Sequence, residues 1–168
     1  MKPIATILIF FLFISSSFSQ SLSPDKFINK IKKEDSAFAF TVPGWLIRAA
    51  SGFATRDLED KERRIVQELT SHIKKLRFVV AETLPDNFDE TFSSLKSYMS
   101  KNNYESLIQV RDEGNNVNLW AKFDDDIIKR LVISVIGEEE SVVLNIKSNL
   151  NMAVLERMEF FKEWKDMP

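Results

Sequence analysis

From Glu105 to Ser148 the chain is built of period-two runs broken by three short polar turns. The runs are Glu105–Asp112, Val117–Phe123, Lys129–Ile136 and Ser141–Ser148. Glu113-Gly114-Asn115-Asn116, Asp124-Asp125-Asp126 and Gly137–Glu140 separate them. A strand repeats its facing every second residue, and turns this short join antiparallel neighbours. Val117, Leu119, Ala121 and Phe123 share one face of the second run; Asn118, Trp120 and Lys122 share the other. Lys129–Ile136 is apolar on both faces in its second half, as a central strand is.

Before Tyr104 the periodicity is helical. Ser23-Pro24-Asp25 is a helix start: a serine cap, a proline at the first helical position and an acid in the first turn. Phe27, Ile28 and Ile31 give that helix an apolar face. Ala37–Val42 reads as a strand, Pro43-Gly44 breaks it, and Trp45–Ala50 reads as a short apolar helix ended by Ser51-Gly52. Behind Asp57, a candidate cap, Leu58, Ile65, Val66, Leu69, Ile73 and Leu76 recur at helical spacing. Leu76–Ala81 then reads as a strand. Pro85-Asp86 opens a further helix with Phe88, Phe92, Leu95 and Met99 on one face. Asn149 or Asn151 caps a last helix, with Val154, Met158 and Phe161 on one face and Leu155 and Trp164 nearby. Amphipathic helices need a sheet face to cover. The expected fold is α+β: an antiparallel sheet of five or six strands, with the helices mainly on one face.

Residues 1–19 read as a secretory signal peptide. Met1 and Lys2 form a positive start, and Ile4–Ile14 is an apolar run of about eleven residues, short of the roughly 20 that cross a bilayer. Ser17 and Ser19 satisfy the small-x-small rule for cleavage after Ser19. Residues 20–168 then make a single domain. The chain has no cysteine, which removes a lipid anchor at the cut and any disulfide. No later apolar segment is long enough to span a membrane. The expectation is an exported protein with no stable membrane anchor, in the periplasm or else outside the cell. Lys and Arg number 23 against 25 Asp and Glu. This near-balance lacks the basic footprint of a nucleic-acid binder, so nucleic acid is not an expected partner.

Certain strings, taken in order, resemble a family of small exported bacterial proteins catalogued as domain of unknown function 4252. They are Phe27-Ile28-Asn29-Lys30, Trp45-Leu46-Ile47 and Ile73–Val79 at a helix-to-strand junction. Tyr104–Asp112 follows, then Val117, Lys122 and Lys129–Val135. The resemblance covers Pro24 to Lys162. It implies an envelope location and carries no catalytic residues over.

No constellation of residues prescribes chemistry. His72 is the only histidine and there is no cysteine, so a typical zinc site lacks its ligands. Asp124–Asp126 lacks the EF-hand spacing and reads as a hairpin turn, as does Glu138–Glu140. No metal and no cofactor is expected. Arg63, Arg64, Lys74, Lys75 and Arg77 are interleaved with Glu59, Glu62 and Glu68, which reads as a salt-bridged helix face. The Phe38–Phe53 segment is unusual: Phe38, Phe40, Val42, Trp45, Leu46, Ile47 and Phe53 accompany a single charge, Arg48. It is either lodged in the core or exposed as a docking surface. Trp120, on the polar face of its strand, reads as a second exposed aromatic. The functional expectation is a non-enzymatic binding module for a protein or an apolar ligand in the envelope. Trp45, Leu46 and Trp120 are its candidate interface residues. An envelope stress or signalling accessory and a carboxylate-based hydrolase are the alternatives.

Overall fold

One strand, the last among the described residues, holds the sheet together by pairing with partners from both halves of the chain. The computed structural model describes residues 21–112, 114–137 and 140–156. In chain order its elements are α1 (Pro24–Ile31), β1 (Ala37–Pro43), α2 (Gly44–Ala54), α3 (Asp60–His72), β2 (Ile73–Ala81) and α4 (Phe88–Lys101). They continue with β3 (Tyr104–Asp112), β4 (Asn115–Asp124), β5 (Ile127–Ile136), β6 (Ser141–Asn151) and α5 (Met152–Glu156). The six strands form one sheet in the order β1-β2-β6-β5-β4-β3, with every neighbour antiparallel. The period-two run is thus the meander β3 to β6, and β6 also receives β2.

Helices lie on both faces. On the first, α1 and α4 press Phe27, Ile28, Leu95 and Met99 onto Val79, Trp120, Val132 and Val143. The Phe27 ring meets Phe88 and Phe92 edge-on, and Lys30 Nζ donates to Thr91 Oγ1 at 2.8 Å, locking the two helices together. On the second, Leu69 of α3 and Val154 of α5 pack over Leu119, Ala121, Ile128, Leu131 and Leu150. The larger buried cluster belongs to the first face.

The helix ends follow the local chemistry. The Ser23 side chain accepts from Lys26 N and caps α1. Asn151 Oδ1 accepts from Ala153 N and so caps α5. Asp125, at φ 52°, turns the chain between β4 and β5. Two boundaries move from the sequence reading. Strand β2 starts at Ile73 rather than Leu76, because Ile73 already pairs with Ser148 of β6. Helix α2 runs past Ser51-Gly52 to Ala54, and the Thr55 N–H and hydroxyl both bond the Ser51 carbonyl to close its last turn. The signal-peptide assignment, Met158, Phe161 and Trp164 lie outside the described residues.

Gly44 fixes where α2 sits. A β-carbon there would press on the carbonyl oxygens of Ile73 and Lys74, whereas one at Gly52 would meet nothing within 4 Å among the described residues. Gly44→Ala is therefore expected to cost about 2 kcal/mol, a fall of about 6 °C in Tm. Gly52→Ala is expected to raise Tm by about 1–3 °C, since alanine is the better helix former. Thermal melts of the two variants followed by circular dichroism check the pair.

Candidate functional site

Helix α2 is apolar, yet its apolar stripe points outward. At 100° per residue Trp45, Ala49, Phe53, Leu46 and Ala50 fall on one side of the helix. All five are exposed, Trp45 at 64% and Phe53 at 67% of full accessibility. The opposite side, Ile47 and Ser51, faces the protein and is only half-buried. The helix is nonetheless held at both ends. Gly44 lies against the start of β2. Arg63 of α3 reaches back to the carbonyls of Thr55, Arg56 and Leu58. Arg56 covers the Phe53 ring at 4.8 Å. The stripe is carried by a helix held at both ends, with little of its surface withdrawn from water.

The strand leading into α2 continues the pattern. Phe38 and Phe40 project from edge strand β1 onto the second face, stack on each other at 6.3 Å and lean on Phe78. Phe38 is 62% exposed. Register places both at the ends of apolar rows that cross all six strands. Phe38, Val80, Val142, Val135, Val117 and Val110 form one row. Phe40, Phe78, Leu144, Ile133, Leu119 and Ile108 form the next.

Of the residues singled out from the sequence, Trp45 and Leu46 are exposed on this surface, and Trp120 is not part of it. Trp120 is 7% exposed and its ring meets Phe92 of α4 edge-on at 6.2 Å. The polar residues flanking it on its face, Asn118 and Lys122, suggested solvent. In the fold that face lies beneath α1 and α4, and Asn118 itself is buried, donating to Ser134 Oγ. His72 ends α3, with Nδ1 within 2.7 Å of the Glu68 carbonyl and 3.0 Å of Ser71 Oγ. Among the described residues no cluster of three His, Cys, Asp or Glu is placed to hold a metal ion.

A separate polar centre ties α1 to the sheet. Asp25 in the first turn of α1 bridges Arg77 of β2, at 2.7 Å, and Arg130 of β5, at 3.3 Å. Arg77 also donates to Asn29 Oδ1, one turn along the helix. Partial burial acts to raise the Asp25 pKa, but the hydrogen bonds and charges of the two arginines outweigh it and hold the carboxyl below its usual range.

The family model for a domain of unknown function, DUF4252, matches residues 30–158, which takes in all six strands. The chain belongs to the DUF4252 family. No curated protein and no solved structure matches it. The matched span starts inside α1, after Asp25, and falls within the Pro24–Lys162 span of the sequence resemblance.

Within this DUF4252 domain α2 carries Phe53 on the side of Trp45 and Leu46, beyond the Ser51-Gly52 stop that the sequence predicts, so the stripe is one turn longer than Trp45 and Leu46 alone imply. A helical wheel drawn through Gly52 recovers Phe53 on the side of Trp45 and Leu46. The sequence pattern places Lys74 and Lys75 on a helix, whereas they stand on β2.

Two outcomes are expected of the DUF4252 chain. Trp120→Ala should cost about 3–5 kcal/mol of unfolding free energy, while Trp45→Ala should stay within about 0.5 kcal/mol of the parent, both read from urea titrations. The second concerns acid. A carboxylate favoured by the fold gives up its proton more readily there than in the unfolded chain. Its contribution is therefore complete above about pH 4 and drains away as pH falls through the lower folded value. Asp25→Asn should flatten the loss of stability between about pH 4 and pH 2, and should lower stability at pH 7 by about 1 kcal/mol, a modest figure because the carboxylate is partly exposed. Equal acid slopes in parent and variant would show that other carboxylates govern the acid limb.

Proposed function

We propose that the chain is an exported, non-enzymatic binding module whose α2 stripe docks into an apolar groove on another protein of the cell envelope. The observation that carries this reading is the outward orientation of Trp45, Leu46 and Phe53 on a helix fixed at both ends. An apolar helix face offered at positions i, i+1, i+4, i+5 and i+8 is the form of a helix-in-groove ligand, and tryptophan is prominent among residues that dominate such contacts. Fixing the helix beforehand removes much of the ordering cost of association. Charge favours a protein over an anionic bilayer as the occupant. The chain is net −2, and Glu59, Asp60 and Glu62 stand on the segment beside α2, so a lipid surface gains no general attraction. The Lys2–Ser19 pattern supports export, with the periplasm as the place of work.

The test is a photo-crosslinking residue placed at Ala49, in the middle of the stripe, in cells that produce the protein. A discrete adduct with one other protein is expected, lost in a Trp45→Ala/Phe53→Ala background and absent when the probe is placed at Lys33. An adduct that persists without Trp45 and Phe53, or none at all, overturns the reading. Vesicle sedimentation that depends on Trp45 and Phe53, with no protein adduct, assigns the stripe to a membrane surface and overturns it too.

A further inference from the structure

The register of the sheet builds a row of positive charge that no sequence spacing announces. Lys75 of β2 stands opposite Lys147 of β6, Lys147 opposite Arg130 of β5, and Arg130 opposite Lys122 of β4; Tyr104 of β3 ends the row. Like charges directly opposite one another on a sheet are destabilising. Four in succession are an arrangement that a merely structural surface has every reason to avoid.

The row forms the floor of two adjoining cavities beside the first turn of α1. The larger, of about 410 Å³, is lined by Lys74, Lys122, Lys129, Arg130 and Lys147 together with the hydroxyl-bearing Tyr98 and Tyr104. The smaller, of about 110 Å³, adds Lys75 and Arg77. Among the described residues Asp25 is the one acid that lines either of them. It already uses the two guanidinium groups, and Lys129 is taken by Asp124 at 3.2 Å. Lys74, Lys75, Lys122 and Lys147 form no ion pair among the described residues. Lys122 lies 5.7 Å over the Tyr104 ring.

A second observation points the same way. Asn145 is 3% exposed and lines the smaller cavity, and its Oδ1 has no hydrogen-bond partner among the described residues. A buried acceptor of this kind costs stability until a donor reaches it. It sits one register step from the charged row, opposite Arg77.

We infer that this cationic cavity is a binding site for a small phosphate-bearing anion that also presents a hydroxyl, either a soluble phosphate compound or a phosphorylated headgroup. The donor set selects the class. Planar carboxylates are best gripped by arginine forks, and both forks here hold Asp25. What remains is lysine ammonium groups, which act as compact point charges, and the hydroxyls of Tyr98, Tyr104 and Ser23, a set suited to a tetrahedral oxyanion of high charge. Burial pushes the Tyr104 hydroxyl up to about 12 against the opposing charge of Arg130, so it stays a donor at neutral pH. A ligand hydroxyl, or the proton of a hydrogen phosphate, satisfies Asn145 Oδ1. The larger volume matches the size of ordinary small-ligand pockets. The site is independent of the α2 stripe, lying on the face of the sheet that α1 and α4 cover.

Calorimetric titration of the purified protein with pyrophosphate tests the inference. Saturable binding at one site is expected. Lys147→Gln and Lys74→Gln should each weaken it by about fivefold, the effect of one unit charge at about 4 Å in a water-like medium. Lys33→Gln, an equal loss of charge at the far end of α1, should leave it unchanged, and circular dichroism confirms that each variant is folded. A parallel arm measures sedimentation with phosphatidylglycerol vesicles: loss of vesicle binding in the same two variants assigns the site to a headgroup, and pyrophosphate binding alone assigns it to a soluble compound. No binding in either arm, binding indifferent to Lys74 and Lys147, or an equal loss in Lys33→Gln overturns the inference. Citrate binding tighter than pyrophosphate overturns the phosphate assignment.

Discussion

The pairing of β6 with both β2 and β5 is the constraint on which the remainder of the molecule rests. Side chains alternate across a strand, so the register of these two ladders decides which residues of every strand share a face. With Val79 opposite Val143, and Ser134 opposite the same valine on the other side, the first face collects Val79, Val143, Val132 and Trp120 beneath α1 and α4. A slip of one residue would send this set to the opposite face. The register thereby decides which side of the sheet receives the apolar sides of α1 and α4.

The same register gives the sheet surfaces of contrasting character. On the second face it aligns apolar side chains in rows that end at Phe38 and Phe40 on the β1 edge. On the first it aligns Lys75, Lys147, Arg130 and Lys122, next to a row that contains Trp120 and Val132. Asp25 bridges from α1 to Arg77 and Arg130 at the border between core and charge. This ion pair has to anchor the helix that seals the core while partly neutralising the charge beside it. Three irregularities of strand pairing, at Ile73/Lys75, Lys122/Phe123 and Ile128/Arg130, also border the charged row. Bulges increase local twist and re-aim side chains, which spreads the cations around a hollow rather than along a flat ladder.

Much of the fold could be read from the chain because its signals were local. The period-two runs and short turns between Tyr104 and Ser148 specify a meander whatever else is present. Ser23-Pro24-Asp25 specifies a helix start, and the Phe88, Phe92, Leu95 and Met99 spacing specifies which side of α4 is buried. What could not be read depended on distant partners. Ile73 falls at the helical spacing, and its place in β2 rests on Ser148 beside it. Trp120 sits among polar neighbours, and only the presence of Phe92 above it makes it core. Lys122, Arg130, Lys147 and Lys75 look like scattered surface lysines and an arginine until cross-strand register makes them neighbours. In α2 the amino acids were legible and their direction was not, because direction follows from the close approach of Gly44 to the β2 backbone.

Joining β2 to β6 also sets the order in which the molecule can assemble. Strands β3 to β6 close through short hairpins, whereas Val79 must find Val143, 64 positions further on. Loop-closure entropy disfavours such distant encounters until the local pieces exist to reward them. The meander is therefore the natural early product and docking of the β1–β2 half the late event. Lys75 and Arg77 arrive with that late half, while Arg130, Lys122 and Lys147 belong to the early one. The charged hollow is complete only once both halves have paired, because Lys74, Lys75 and Arg77 of β2 line it beside Lys122, Arg130 and Lys147 of the meander.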